Sequence, residues 1–302
     1  MRAARLDTFG GPDVLTIGEM PDPVAGPGQV RVRVTAAGLN PMDWFMLSDA
    51  TTAGRFGLSL PAGFGTDYAG VVEQVGDGVT DFTPGDRVFG GALSRAVAEM
   101  VVVDTKGIAA NEIHHTPAGV DDHVAATLTI AGRTACAALD VVTLGPTDTV
   151  LIGGAAGGVG VFAVQLARLA GARVIGTGSP ASAEFLRELG AEPIAYGDGL
   201  VDRVRSLGIT AALDLYGTET ALAARALGVP DRRITTIAAV IEGITPSNGA
   251  NAAPGALEKL ASLVAEGKLR VPIAARFPLD QIRAAAELQA GRHAKGKIVI
   301  DI

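Results

Sequence analysis

The spacing of apolar residues changes along the chain near residue 120. Before that point apolar and polar residues tend to alternate, as in QVRVRVTAAG, YAGVVEQVG and RAVAEMVVVD, and turn sequences such as TPGDR separate the runs. Alternation with a period of two is typical of strands that bury one face. The first part of the chain is therefore predicted to form a small barrel or sandwich of strands.

From about Asp121 onward, short apolar runs alternate with helix-like segments. In chain order these are TVLIGG and VGVFAVQLARLAG, ARVIGTG and SAEFLRELG, EPIAY and LVDRVRSLG, AALDLYG and ETALAARALG, and the strand-like RRITTIAAV. Repeated strand and helix pairs predict an open, doubly wound parallel sheet, so the fold class is α/β. The segments after TPSNGANAAPG, which end in the strand-like KIVIDI, break this rhythm and are predicted to pack on the first lobe.

Composition narrows the function classes. The chain has 302 residues, 48% of them hydrophobic, which is enough for two lobes with separate cores. Its net charge of -7 disfavours nucleic acid and anionic membranes as partners, because both would repel it. No run approaches the roughly 18 apolar residues of a membrane span, and no secretory leader is visible at the N-terminus. We therefore expect a soluble, cytoplasmic protein, in which the single cysteine, Cys136, is a buried small hydrophobe.

The stretch GGAAGGVG, residues 153–160, joins a predicted buried strand to a predicted helix. In such a turn, backbone N–H groups and the positive end of the helix converge on one point, which suits a pyrophosphate. The GxGxxG pattern is not matched literally, because Ala155 stands in place of its first glycine. A plain tight turn is the alternative. The residues predicted to bind a dinucleotide here are Ala155, Gly157, Gly158, Val159 and Gly160.

The second predicted strand of this sheet ends in ARVIGTGSPAS. Enzymes that use NAD usually place a carboxylate here for the ribose hydroxyls, whereas this chain offers the hydroxyls of Thr177 and Ser179. Without a carboxylate, a 2'-phosphate meets no like charge, so NADPH is the predicted cofactor. Helix capping by Ser179 and Ser182 is an equally good interpretation of the two serines.

Taken together, these residues resemble the zinc-free quinone oxidoreductase branch of the medium-chain dehydrogenase/reductase superfamily. The matching stretches are FGGPDVL, PGQVRVRVTAAGLNPMDW, GTDYAGVVEQVG, FTPGDRVFG, IAGRTA, GGAAGGVG, FLRELGAE and HAKGKIVI. The resemblance implies a GroES-like domain, residues 1–122 completed by 267–302, and a Rossmann domain, residues 123–266, with NADPH and substrate meeting in a cleft. It also implies a homodimer.

The resemblance further implies that no metal is bound. Zinc-dependent relatives have a cysteine after AAG and a Gly-His-Glu in the next block, where this chain has Leu39-Asn40 and Gly65-Thr66-Asp67. The adjacent His114 and His115 are expected in a surface loop rather than at a metal. Without a Lewis acid, the easier chemistry is hydride transfer to an electrophilic carbonyl compound, with solvent as the proton source.

Asn40 is the candidate catalytic residue. Its amide could donate a hydrogen bond to the substrate carbonyl as negative charge develops there. In Asn40-Pro41-Met42-Asp43 it is also a good helix N-cap, and the two interpretations stay open. Trp44 and Phe45 are predicted to form an apolar substrate wall, or else core of the lobe, and Tyr68 to be a polar lining residue.

Three more cofactor contacts follow from the resemblance alone. Thr134 matches a threonine near the nicotinamide, Tyr196 a tyrosine beside the adenosine, and Arg292 an arginine of the cofactor site. The sequence thus predicts an NADPH-dependent, metal-free reductase of a small-molecule quinone or α,β-unsaturated carbonyl compound. The alternatives are an enoyl or enone reductase of one biosynthetic pathway, and a nucleotide-binding protein with little redox turnover.

Overall fold

The computed structural model of the protein describes residues 1–108 and 110–302. The strands, in chain order, are β1 (Arg2–Leu6), β2 (Thr16–Glu19), β3 (Gln29–Leu39), β4 (Ala62–Gly63), β5 (Asp67–Val75), β6 (Arg87–Ala92), β7 (Met100–Asp104), β8 (Asn111–His115), β9 (Thr149–Gly153), β10 (Arg173–Gly178), β11 (Glu192–Ala195), β12 (Ala211–Asp214), β13 (Ile234–Thr236), β14 (Thr245–Pro246), β15 (Ile273–Pro278) and β16 (Lys297–Asp301). The helices are α1 (Pro41–Phe45), α2 (Ala50–Arg55), α3 (Asp122–Ala125), α4 (Arg133–Val142), α5 (Gly160–Leu169), α6 (Ala183–Leu189), α7 (Leu200–Val204), α8 (Glu219–Ala226), α9 (Ala256–Ala265) and α10 (Ile282–Ala290).

The chain divides into two compact units. The first comprises residues 1–130, 257–268 and 273–302, and the second residues 131–256 and 269–272. The predicted domains, 1–122 with 267–302 and 123–266, differ from this division mainly at α9, most of which lies in the first unit. The helical pattern of LEKLASLVAEGK is the same whichever unit it packs on, so the sequence did not reveal this grouping.

The first unit is built mainly of strands. Its larger sheet has the order β15-β16-β3-β5-β6-β8, with β7 also paired to β3, and a smaller sheet has the order β2-β1-β4. In β3 the alternation predicted from the sequence is visible directly: Val30, Val32 and Val34 are buried in the core, while Arg31 and Arg33 turn outward. The last strand, β16, runs antiparallel to β3, pairing Ile298 with Leu39.

The second unit contains the predicted parallel sheet. Its strand order is β11-β10-β9-β12-β13-β14, and each neighbouring pair is parallel. The central strand β9 is buried on both faces, with Val150, Leu151 and Ile152 fully inaccessible, as expected for a sheet covered by helices on both sides. The predicted α/β class, with a Rossmann sheet and a mainly β GroES-like part, is confirmed.

Within the described ranges, no helix combines the length and the apolar character that crossing a lipid bilayer requires.

Candidate active site

Asn40 lies where β3 ends and α1 begins. Its backbone is extended, at φ -133° and ψ 151°, and Pro41 follows as the first helical residue. The Asp43 carboxylate accepts hydrogen bonds from the Asn40 backbone N–H at 2.7 Å and from the Thr66 hydroxyl at 2.8 Å. A proline with preset φ and an acid in the first turn thus start a helix here, as the sequence predicted. The backbone of Asn40 is thereby held in place.

The side chain of Asn40 lies between two charged groups. Its Oδ1 accepts a hydrogen bond from Nζ of Lys297 at 2.5 Å, and its Nδ2 donates to Oδ2 of Asp67 at 2.9 Å. Nζ of Lys297 also donates to the carbonyl of Leu39 at 2.9 Å, and Oδ1 of Asp67 accepts from the N–H of Ile130 at 3.1 Å. We call Asn40, Asp43, Asp67 and Lys297 the buried polar cluster.

The buried polar cluster has almost no contact with solvent, since none of its members is more than 2% exposed. Burial raises the pKa of Asp67 to about 7 and that of Asp43 to about 6, against the opposing influence of hydrogen bonds and of the nearby Lys297 ammonium. Burial also lowers the pKa of Lys297, while the two carboxylates raise it. Inside the protein, the positive charge of the Lys297 ammonium therefore offsets negative charge on the carboxyl groups of Asp43 and Asp67.

Sequence reasoning overlooked Lys297 and gave Asp67 no function. A polar residue opening the apolar strand KIVID was the available signal for Lys297, and the block Gly65-Thr66-Asp67 was noted only for its lack of zinc ligands. Lys297 and Asn40 are 257 positions apart in sequence. Only the pairing of β16 and β5 with β3 brings these residues together.

The three predicted lining residues have different environments. Phe45 is 51% exposed, whereas Trp44 is half-buried and its Nε1 donates to Oε1 of Gln289 at 3.0 Å. Tyr68 is fully buried in the core of the first unit, where its hydroxyl donates to the carbonyl of Glu112 at 3.2 Å and burial raises its pKa. The side chain of Tyr68 follows the inward face of β5, so the tyrosine is a packing residue rather than a lining one.

The glycine-rich turn connects β9 to α5 in the second unit. A Cβ at Gly160 would lie 2.4 Å from the carbonyl oxygens of Gly154 and Ala155, so packing requires glycine there. A Cβ at Gly157 would meet only the oxygen of Gly154, at 3.3 Å, which leaves that face of the turn open. The backbone N–H groups of Gly158, Val159 and Gly160 have no acceptor within the described part of the chain.

The other predicted nucleotide contacts differ in accessibility. Thr177 is buried near the end of β10, and Ser179, just beyond it, has its hydroxyl 3.1 Å from that of Ser182. Tyr196 follows β11 and is 57% exposed, while Thr134 is buried near the start of α4. These residues belong to the second unit. Arg292, in contrast, lies after α10 in the first unit, with a positive φ of 54°.

The two adjacent histidines lie on a strand, not in the expected loop. They end β8, which pairs with β6. His114 places its Nδ1 3.1 Å from Glu258 and its Nε2 3.0 Å from Glu112, and His115 stacks on Phe82. Because successive side chains on a strand point to opposite faces, the two rings diverge, as expected for adjacent residues. Outside position 109, the structure contains no group of three or more His, Cys, Asp or Glu side chains arranged to hold a metal.

Two family models match the chain. Residues 26–113 match the alcohol dehydrogenase GroES-like domain, and residues 189–300 match a model described as zinc-binding dehydrogenase. The first match begins just before β3 and ends within β8 of the first unit. The second begins within α6 and extends to β16.

Individual relatives agree with these matches. A quinone oxidoreductase of Pseudomonas aeruginosa is 38% identical over 192 residues, which are 62% of this chain and 56% of that protein, so the match spans little more than half of that relative. A solved quinone oxidoreductase from Coxiella burnetii is 30% identical with a TM-score of 0.90, covering 100% of this chain and 99% of that one. A mycobacterial protein solved in complex with NADPH is 26% identical with a TM-score of 0.85, covering 100% of both chains.

Proposed function

Since the chain belongs to the quinone oxidoreductase branch of the medium-chain dehydrogenase/reductase superfamily, we propose that it is an NADPH-dependent reductase of quinones or α,β-unsaturated carbonyl compounds. The observation that carries this proposal is the glycine-rich turn between β9 and α5. The turn has an open face at Gly157 and N–H groups without a protein acceptor at its end. Such a turn at the carboxyl edge of a parallel sheet fits a pyrophosphate.

The second unit supplies the groups that would hold NADPH. Gly158, Val159 and Gly160 would donate their N–H groups to the pyrophosphate, and the exposed ring of Tyr196 would lie against the adenosine. Ser179 would donate to the 2'-phosphate, since the segment that follows β10, Ser179-Pro180-Ala181-Ser182, has no carboxylate to repel it. NADPH, when bound, supplies the hydride. Its presence in the mycobacterial relative supports the same cofactor here.

The first unit supplies the group that would stabilise developing charge. As hydride adds to the electrophilic carbon of the substrate, the carbonyl π electrons move to oxygen, which becomes an oxyanion. Nδ2 of Asn40 uses one N–H for Asp67 and makes no other hydrogen bond among the described residues. The second N–H is the donor that we assign to the oxyanion, which then takes a proton from solvent.

The buried polar cluster also supports chemistry without a metal ion. The two blocks that match those of zinc-dependent relatives are Leu39-Asn40 and Gly65-Thr66-Asp67 in this chain. Here Asn40 and Asp67 are hydrogen-bonded to one another, and the ammonium of Lys297 is 2.5 Å from Oδ1 of Asn40. An ammonium in this position already provides the positive charge that the Asp67 carboxylate needs. A second cation would be repelled by it, and no thiolate or imidazole is present in the cluster to hold one.

The proposal is tested by following NADPH absorbance at 340 nm with a panel of quinones and enones of different size, and dialysed protein alone as the control. We expect substrate-dependent oxidation of NADPH, with the enone arm distinguishing an enoyl reductase from a quinone reductase. Tight NADPH binding without turnover on any member of the panel would instead identify a nucleotide-binding protein. We further propose a cytoplasmic homodimer, which sedimentation and cell fractionation test.

A further inference from the structure

We propose that Lys297 and Asp67 are positioning residues that fix the orientation of the Asn40 amide and so present one N–H of its Nδ2 as a donor. The inference rests on the proposed function, because that donor is the group assigned to the substrate oxyanion. Lys297 lies on one side of the Asn40 amide and Asp67 on the other, and one N–H of Nδ2 is bonded to neither.

The orientation of an asparagine amide is normally free to reverse, but here the neighbours allow one orientation. The ammonium of Lys297 has only hydrogens to offer, so it requires Oδ1. Above pH 7 the Asp67 side chain is a carboxylate, which only accepts hydrogen bonds, so it requires Nδ2. A reversed amide would set an NH₂ group against the ammonium and an oxygen against the carboxylate. Both contacts would be repulsive, and burial would strengthen the repulsion.

The two neighbours are themselves held by the backbone. Nζ of Lys297 donates to the carbonyl of Leu39, and Oδ1 of Asp67 accepts from the N–H of Ile130. Lys297 lies on β16 and Asp67 on β5, and both strands pair with β3, which ends just before Asn40. Ile298 is opposite Leu39, and Asp67 is opposite Gly38. The clamp on the amide is therefore built on sheet backbone, which is more precise than a loop.

The positive charge of Lys297 also makes the Asn40 amide a stronger hydrogen-bond donor. A positive charge at the oxygen of an amide favours the resonance form with negative oxygen and positive nitrogen, which makes the N–H groups stronger donors. Lys297 thus acts on the reaction through Asn40 and not by touching the substrate.

A double-mutant cycle tests this coupling in the intact protein. We expect Lys297→Met to lower kcat roughly 10-fold while the Kd of NADPH stays unchanged, because the lost hydrogen bonds, to Oδ1 of Asn40 and to the carbonyl of Leu39, involve no residue assigned to NADPH. In an Asn40→Ala background the same change should lower kcat no further. Effects on kcat that multiply in the double variant would overturn the proposal, because Lys297 would then act independently of Asn40.

A charge-conserving exchange covers the case in which Lys297→Met fails to fold. In Asn40→Asp/Asp67→Asn, the new carboxylate can accept from Lys297 and from the new amide, which can still accept from the N–H of Ile130. Every hydrogen bond keeps a partner, and only the donor at position 40 is lost. We expect this variant to fold and to bind NADPH, but to have a kcat as low as that of Asn40→Ala. Wild-type kcat in the exchange variant would overturn the proposal.

The side-chain amide resonances of Asn40, identified by their loss in Asn40→Ala, separate this proposal from the proposed function. We expect the proton signals of this amide in the wild type to lie away from those of a free asparagine side chain, and to move toward them in Lys297→Met, whatever the turnover. Unchanged signals in Lys297→Met would refute the positioning role. Absence of turnover in the wild type, with the expected change in the signals, would refute the proposed function alone.

Discussion

At the scale of single residues, the position of Asn40 makes a sharp kinetic prediction. We expect Asn40→Ala to lower kcat roughly 10²-fold with the Kd of NADPH unchanged, because a donor to developing negative charge is lost. If Asn40 only joined Lys297 and Asp67 within the fold, its loss would cost about 1–3 kcal/mol of stability for the buried groups left unsatisfied, and little rate. Steady-state kinetics and urea unfolding on the same variant measure both quantities.

Asn111 provides a matched control for this variant. Its side chain is also engaged in the first unit, with Oδ1 accepting from the N–H of Leu93 at 3.1 Å, but it is not part of the buried polar cluster. Asn111→Ala should change stability and leave kcat within about 2-fold of the wild type. Equal kcat for the two alanine variants would contradict the catalytic assignment of Asn40.

A second residue-scale prediction concerns Asp67 and pH. Its pKa in the folded protein is raised to about 7, so the native state holds a proton that the unfolded chain releases near pH 4. The contribution of the Asp67 carboxyl to the free energy of unfolding is therefore fully present below pH 4 and is lost as the pH rises through 7. The free energy of unfolding of Asp67→Asn, relative to wild type, should therefore increase from pH 4 to pH 7, by up to a few kcal/mol.

Urea unfolding at a series of pH values measures this difference. Asp77→Asn is the matched control, because it removes one carboxylate at an exposed position outside the buried polar cluster. A flat or falling difference for Asp67→Asn would mean that Lys297 keeps the Asp67 carboxylate ionised throughout.

At the scale of elements, the turn before α5 contains two glycines with different surroundings. Gly160 is required by packing against backbone oxygens, whereas a Cβ at Gly157 would meet only the oxygen of Gly154, at 3.3 Å. Gly157→Val should therefore cost little folding stability and raise the Kd of NADPH at least 10-fold, since the side chain would occupy the space of the pyrophosphate. Gly54→Val is the control, because a Cβ at Gly54 meets nothing within 4 Å. An unaltered Kd in folded Gly157→Val would leave this segment as a plain turn.

The end of β10 carries the prediction on cofactor choice. Without a carboxylate near Ser179, NADPH should bind about 10- to 100-fold more tightly than NADH. Ser179→Asp should narrow or reverse this preference through repulsion of the 2'-phosphate, while the exposed Ser206→Asp should leave it unchanged. Titration by nicotinamide fluorescence measures the affinities for NADPH and for NADH in each protein. Equal affinities in the wild type would mean that the absent carboxylate does not select the cofactor.

Periodicity along the sequence predicts the strands and helices of this protein, but not the register or the pairing of distant strands. Apolar alternation in β3 and the strand and helix rhythm after residue 120 were sufficient to predict a strand-rich first unit and the parallel sheet of the second, because each pattern depends on neighbours in sequence. The face on which Tyr68 lies and the strand position of His114 depend on register, which local pattern leaves open. The contact between Lys297 and Asn40 depends on which distant strands pair, and no periodicity in this chain encodes that choice.

At the scale of the whole molecule, the distribution of charge predicts the metal content. The buried polar cluster contains its own cation, Lys297, so untagged protein purified without chelators should contain less than about 0.1 zinc per chain. Elemental analysis by mass spectrometry measures this, with a zinc-dependent alcohol dehydrogenase prepared in parallel as the control. A value near one zinc per chain would place the protein in the metal-dependent branch.

The pairing of β16 with β3 has a consequence for synthesis on the ribosome. The strand that covers residues Ala36–Leu39 of β3 is translated only after the whole second unit has been made. Until then the nascent first unit leaves that edge of β3 unpaired, and Asp67 has no ammonium nearby. The second unit has nearly all of its residues consecutive in sequence, so it can fold while the first still waits for its final strand. Translation order thus makes the clamp on Asn40 one of the last parts of the protein to form.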